Sequence, residues 1–231
     1  MGPTALPDPA GHLAGFLLAD SRLPSGAYSH SAGLEPAVLA GLGVDGVYPY
    51  LLSRLNTVVR TETAAAVLAH RIASGHSGCT FPEVERALDA RTPSPAQRDA
   101  SRRLGRGMLR LAGTVRPDHP AVLALRAEVP RPTRPVALGV TAAALGMGAE
   151  PLARLCCYDD AQSVVAAALK LLPVDPMRGT GWILDAAAEM DAVTQTALQT
   201  CTPEDIPALS APWMEHWAED HTERTRRLFV A

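Results

Sequence analysis

The segment Pro151–Leu172 is apolar on nearly every side, with interruptions such as Asp159, Asp160 and Lys170. A helix of that kind has no solvent face and must be surrounded by other elements. No run in the chain approaches the roughly 18 apolar residues that span a bilayer. The segment therefore reads as the central helix of a bundle, ended firmly by Pro173-Val174-Asp175-Pro176. Composition points the same way. Hydrophobic residues make up 47% of the 231 positions but aromatics only 4%. A core built from Ala, Leu and Val favours closely packed helices over a β-sandwich. We expect an all-α, single-domain helical bundle of about eight to ten helices. It should occupy 10–231, behind a flexible N-terminal segment at 1–9, and should include a C-terminal docking tail.

The remaining pattern is helical almost throughout. Residues 10–19 form a short apolar segment, and Glu35 to Ala40 reads as a helix stopped by Gly41, Gly43 and Gly46. From Tyr50 to Ala73, Leu51, Leu55, Val58, Leu68 and Ile72 recur at helical spacing. A helix from about Pro82 to Ala90 is broken by Arg91-Thr92-Pro93-Ser94-Pro95. The next carries Ala100, Leu104, Met108 and Leu111 on one face, with Arg98, Arg102, Arg103, Arg106 and Arg110 around the rest. Prolines 117, 120, 130, 132 and 135 predict a loop-rich stretch, and Val136–Met147 a buried helix. Ile183, Ala187, Met190, Val193 and Ala197 line another helix, and a last one runs from near Pro212 to near Arg226.

The most polar stretch lies near the N-terminus, Asp20 to Glu35, with two glycines, a proline, four serines and a histidine. Ser29-His30-Ser31 invites a serine-nucleophile reading. A nucleophile needs a base within hydrogen-bond reach and a third group to orient it, and neighbours in sequence rarely meet that geometry. No G-x-S-x-G elbow is present. Helix capping by Ser29 or Ser31 is the better reading. The seven histidines show no H-x-x-x-H pair, and His216 and His221 are five apart, so a metal site within the chain is not expected. Arg178-Gly179-Thr180-Gly181 lacks the phosphate-loop pattern and reads as a turn between helices. Asp159-Asp160 in an apolar helix predicts a buried ion pair, with Lys170 or the arginines near 98–110 as partners.

Net charge is −3, from 21 basic and 24 acidic residues, which gives no reason to expect nucleic acid or an anionic membrane as partner. Four cysteines without a C-x-x-C pair, and no signal-peptide pattern, predict a reduced, cytoplasmic setting. Three of the six Trp and Phe residues, Trp213, Trp217 and Phe229, fall in the last nineteen positions. Aromatics and arginines are favoured interface anchors, so the tail is a candidate docking element.

Together these motifs resemble those of the urease accessory protein UreF family. Asp20–Glu35 follows its signature, D-S-x-L-P-x-G-x-x-S-H-S-x-G-L-E. Leu88-Asp89-Ala90, Arg98-Asp99-Ala100-Ser101, Gly105-Arg106-Gly107-Met108-Leu109, Arg134–Gly139, Ala166–Pro173 and His221…Arg227-Leu228-Phe229 follow in order. The chain departs from the family where Val174-Asp175-Pro176 replaces the usual Leu-Gly-Gln, and where Thr225 replaces a frequent tyrosine. No role is carried over to 174–182.

The resemblance implies a non-enzymatic, all-helical and dimeric protein without a cofactor. It would bridge the accessory protein UreD (also called UreH) and the GTPase UreG on urease apoprotein, coupling GTP hydrolysis to nickel insertion. The expected partner-binding residues are Asp20, Ser21, Leu23, Pro24, Gly26, Ser29, His30, Ser31, Gly33, Glu35, Arg106, His221, Arg227, Leu228 and Phe229. The tail around Arg227-Leu228-Phe229 would dock UreD, and the loop with the Arg106 region would face UreG. The alternative is a metallochaperone that binds nickel directly through histidines, such as His30 or His221, at a dimer interface.

Overall fold

Prolines begin many of the helices. The computed structural model describes residues 9–20, 22–23, 30–224 and 228–229. Its helices are α1 (Pro9–Ala19), α2 (Leu34–Leu39), α3 (Val47–Arg54), α4 (Arg60–Ala73), α5 (Phe81–Arg91), α6 (Pro95–Val115), α7 (Pro120–Glu128), α8 (Arg134–Ala144), α9 (Ala149–Leu171), α10 (Pro176–Asp185), α11 (Ala187–Ala197) and α12 (Pro212–Thr222). Helix accounts for 74% of the chain, and no strand occurs among the described residues. Helices α5, α6, α7, α8, α10 and α12 each carry proline in the first turn. There its missing N–H is not needed and its fixed φ suits the helix. This corrects the loop-rich expectation for 117–135: Pro120 starts α7, capped by the His119 ring, which accepts the Ala121 N–H.

The same logic corrects the turn expected at Arg178–Gly181. Asp175 caps α10 by accepting the Met177 N–H at 2.9 Å, Pro176 follows, and all four residues lie inside the helix. The apolar line expected from Ile183 to Ala197 is split at Ala186 into α10 and α11. Between α3 and α4, Leu55–Val59 forms a single π-helical stretch, so Val47–Ala73 is one continuous rod with a bulge.

Helix α9 passes through two hydrophobic clusters. Its Leu152, Leu155 and Cys156 join one with residues of α1 and α4 to α8. Its Cys157, Ala161, Val164, Val165, Ala167 and Ala168 join the other with α2, α3 and α10 to α12. That is the central helix the apolar segment predicts. Small residues set the spacing, since Ala64, Ala65, Ala66, Val67, Leu68 and Ala69 of α4 are each at most 1% exposed. Gly139 of α8 faces the Ala66 carbonyl so closely that a Cβ has no room, and Gly105 of α6 lies likewise against the Pro132 carbonyl. Among the described residues, no helix is long and apolar enough to cross a membrane.

Candidate partner-docking site

The signature loop and the C-terminal tail meet. Ser31 is fully buried, and its Oγ accepts the Glu35 backbone N–H at 3.3 Å. The formal cap of α2 is Gly33, so Ser31 acts from two residues earlier. Ala32 and Gly33 both take left-handed conformations, with φ of 51° and 74°. For alanine that backbone is strained and persists only where its surroundings enforce it. Tyr50 does so by donating its hydroxyl to the Ala32 carbonyl at 2.8 Å. Burial pushes the Tyr50 phenol up to about 12, so it remains a donor.

This turn delivers Glu35 inward, at 4% exposure. Its two carboxylate oxygens accept the backbone N–H groups of Leu228 at 2.7 Å and Phe229 at 2.9 Å. His221 of α12, also buried, approaches the same carboxylate at 3.5 Å. Phe229 is buried with the Lys170 ammonium 5.0 Å from its ring centroid, whereas Leu228 is 63% exposed. The result is a clasp between segments almost two hundred positions apart. Helix α12 is anchored at its other contact by Glu219, which accepts from the Ser94 hydroxyl and, at 3.1 Å, from the Ala96 N–H at the start of α6. A carboxylate is favoured at that positive helix end. Trp217 of α12 lies 6.5 Å from Tyr50, and the neighbouring Trp213 remains 69% exposed.

Beside the clasp lies a cavity of about 400 Å³. Two ion pairs line it. Arg54 donates to Asp160 through Nε and Nη2 at 2.9 and 2.6 Å, and Arg134 pairs with Asp159. The buried ion pair expected for Asp159-Asp160 is thus present, but its partners are Arg134 and Arg54, not Lys170 or the α6 arginines. The reason is positional: α9 turns both aspartates toward the α3–α4 rod and the start of α8, whereas Lys170 lies in its last turn, over Phe229. Burial alone would lower the Arg54 pKa, but the Asp160 carboxylate holds it above its ordinary value. Glu62 lines the same cavity, where burial raises its carboxyl while Arg134 pulls against the rise.

His30 stands at the cavity edge, half-buried. Burial, then the charges of Arg103 and Arg134, hold its ring down to about 4. A positive surrounding of that kind disfavours a cation at His30, and His221 is enclosed against Glu35. Asp20 sits apart from this assembly, bound to Arg22 through Nε, Nη2 and the backbone N–H. Those bonds, first from the Arg22 side chain and then its N–H, lower its carboxyl to about 2. Leu23 closes the turn by donating its N–H to the Asp20 carbonyl at 2.9 Å. Ser21, Pro24, Gly26, Ser29 and Arg227 lie outside the described residues. Arg106 is exposed on α6, as are Arg103 and Arg110 at helical spacing from it, and none of the three has an ion-pair partner among the described residues.

Sequence reading missed Arg54, Glu62, Arg134 and Tyr50. The signal was available for two of them: Arg54 and Glu62 are charged residues on the inward stripe of an otherwise apolar helix. Among the described residues, no group of three or more His, Cys, Asp or Glu is placed to hold a metal ion.

Among the described residues the body is all-helical, the signature's Asp20, Ser31 and Glu35 are taken up in internal hydrogen bonds, and apolar and arginine side chains such as Leu228, Trp213 and Arg106 are exposed. The UreF family model matches residues 44–187. The chain is 37% identical to the urease accessory protein UreF of Mycobacterium sp. (strain JLS) over 219 residues, 93% of this chain and 96% of that protein. Those of Mycobacterium marinum (strain ATCC BAA-535 / M) and Mycobacterium bovis (strain BCG / Pasteur 1173P2) are 36% and 35% identical over the same shares. The chain belongs to the urease accessory protein UreF family.

Proposed function

We propose that this chain is a non-catalytic, cytoplasmic scaffold of urease maturation that acts as a homodimer. It bridges UreD (UreH) and the GTPase UreG on urease apoprotein and couples GTP hydrolysis to nickel insertion. The observation that carries this reading is the Glu35 clasp. It holds Phe229 inside and leaves Leu228 outside, so the tail offers an apolar side chain from a fixed backbone. Preorganised apolar anchors bind at lower entropic cost than free tails. The exposed Arg103, Arg106 and Arg110 supply a second, positively charged face, suited to a different partner. UreD is assigned to the first and UreG to the second.

Copurification decides between outcomes. A tagged chain should retain UreD and then recruit UreG. Retention of neither at low salt removes the scaffold reading. Leu228→Asp should weaken UreD retention while leaving the circular dichroism spectrum helical, and Arg103→Glu, Arg106→Glu and Arg110→Glu together should weaken UreG recruitment alone. Deletion of 222–231 should also weaken UreD binding. If it instead abolishes the helical signal, the tail is structural. Equilibrium dialysis with nickel addresses the metallochaperone alternative: tight binding lost in His30→Ala would favour it.

A further inference from the structure

All four cysteines are free thiols, and they fall into two chemically different pairs. Cys156 and Cys157 are buried in α9. Burial pushes both thiols up, that of Cys157 to about 11, which keeps them protonated and unreactive. Cys79 and Cys201 are at the surface, half-buried and exposed respectively. Cys79 precedes α5 and Cys201 follows α11, yet the fold brings these loops together. The Cys79 Sγ lies 4.0 Å from the Cys201 carbonyl oxygen, across 122 positions of sequence. Standard bond lengths put that oxygen about 2.4 Å from its own Cα, so the Cys79 sulfur is at most about 6.4 Å from the Cys201 Cα. The Cys79 Cα is about 2.8 Å from its own sulfur, so the two Cα atoms are at most about 9.2 Å apart, against the roughly 4.4–6.8 Å that a disulfide spans. A bridge requires both side chains to rotate and the two loops to close any separation beyond that range.

The surroundings favour this chemistry at Cys201. Arg71 of α4 donates from Nη1 to the Cys201 sulfur at 3.0 Å and from Nη2 to the Leu198 carbonyl at 2.6 Å. The guanidinium is thereby fixed beside an exposed sulfur, a positive group against the atom that would attack an oxidant. On the other side, the Cys201 N–H is held by Asp205 at 2.9 Å, which anchors the loop.

We propose that Cys79 and Cys201 form a reversible intrachain disulfide when the protein meets a hydroperoxide. In the first step the Cys201 thiolate attacks the terminal oxygen of hydrogen peroxide. The O–O bond breaks, the released hydroxide takes a proton to become water, and Cys201 becomes a sulfenic acid. In the second step the Cys79 thiolate attacks the Cys201 sulfur, the S–O bond breaks, and the hydroxide again leaves as water. Two thiols lose two electrons and two protons, and one peroxide yields two waters. A cellular dithiol reverses the bond by exchange. The bridge ties the α4–α5 loop to the segment that continues to Pro207 and Leu209. Pro207 accepts the Thr61 hydroxyl, and Leu209 lines the cavity, so oxidation would stiffen one wall of the candidate site.

The full chain treated with hydrogen peroxide, alkylated with N-ethylmaleimide and digested without reduction tests this. The expected result is a cross-linked peptide pair joining Cys79 to Cys201, lost on dithiothreitol treatment. Two of the four thiols disappear, and Cys156 and Cys157 are alkylated only after unfolding. In Cys79→Ser the Cys201 sulfenic acid should persist and be trapped by dimedone. Arg71→Met should slow cross-linking in a protein whose circular dichroism is unchanged. Oxidation of Cys201 to sulfinic acid without any bridged peptide overturns the proposal, as does a bridge found only between two copies of the chain.

Discussion

Replacing Glu35 by glutamine tests the clasp directly. The native carboxylate accepts two backbone N–H groups, at 2.7 and 2.9 Å, in a site only 4% exposed. Hydrogen bonds to a charged acceptor contribute about 1.5–3 kcal/mol each. Glutamine keeps one acceptor oxygen without the charge and turns an NH₂ toward the other donor. One bond is lost outright and the other weakened, for a net loss of about 2–3 kcal/mol in tail docking. Every 1.4 kcal/mol is tenfold, so the undocked population should rise about 30- to 150-fold. Amide hydrogen exchange read at Leu228 and Phe229 reports that population directly. Both amides should accelerate by this factor while Val164 and Val165 of α9 keep their protection. Unchanged exchange at both positions would show that Phe229 burial alone holds the tail, and the clasp argument would fall.

Gly139→Ala separates packing from propensity. Helix propensity alone predicts a gain of about 1 kcal/mol. The Ala66 backbone leaves no space for the methyl, so we expect a loss near 3 kcal/mol in urea unfolding, and a net gain would refute the close approach. Asp160→Leu strands the buried Arg54 guanidinium and should cost about 3–5 kcal/mol, while Arg54→Met with Asp160→Leu should recover most of it. Denaturation midpoints should fall together in the single variant and return in the double one. For pH, His30 is neutral in the fold, with a pKa lowered from 6.5 to about 4 by burial and then by Arg103 and Arg134. The unfolded chain takes up the proton first, so its contribution is complete above pH 6.5 and declines as pH falls toward 4. His70, lowered chiefly by burial, acts in the same direction, while Glu62 and Glu85, raised chiefly by burial, oppose it. Urea midpoints measured through this range should fall less steeply in His30→Gln, and an identical slope would remove His30 from the account.

Much of the fold was legible because periodicity and punctuation are local. The apolar stretch around Pro151–Leu172 announced α9, and Arg91–Pro95 announced the break before α6. The misreadings also have local causes. Proline ends one helix and starts the next, and the two uses look alike until a cap is seen, as at Pro120 and Pro176. The break at Ala186 has no glycine or proline to mark it.

What the sequence determined by itself was the class of molecule: helical, alanine-rich, organised around one apolar segment, with a polar signature and an aromatic tail. It could not say that signature and tail are one structure. In sequence Glu35 reads as a helix start and a partner-binding residue, and only tertiary contact reveals that its oxygens face two amide groups almost two hundred positions away. The partners of Asp159 and Asp160 were equally undetermined, since desolvated charges take whichever guanidinium the packing brings within reach. Periodicity encodes which face is buried, but it does not encode which face of which helix covers it. That choice rests on close approaches such as Gly139 against Ala66, and it decides which polar residues remain for a partner.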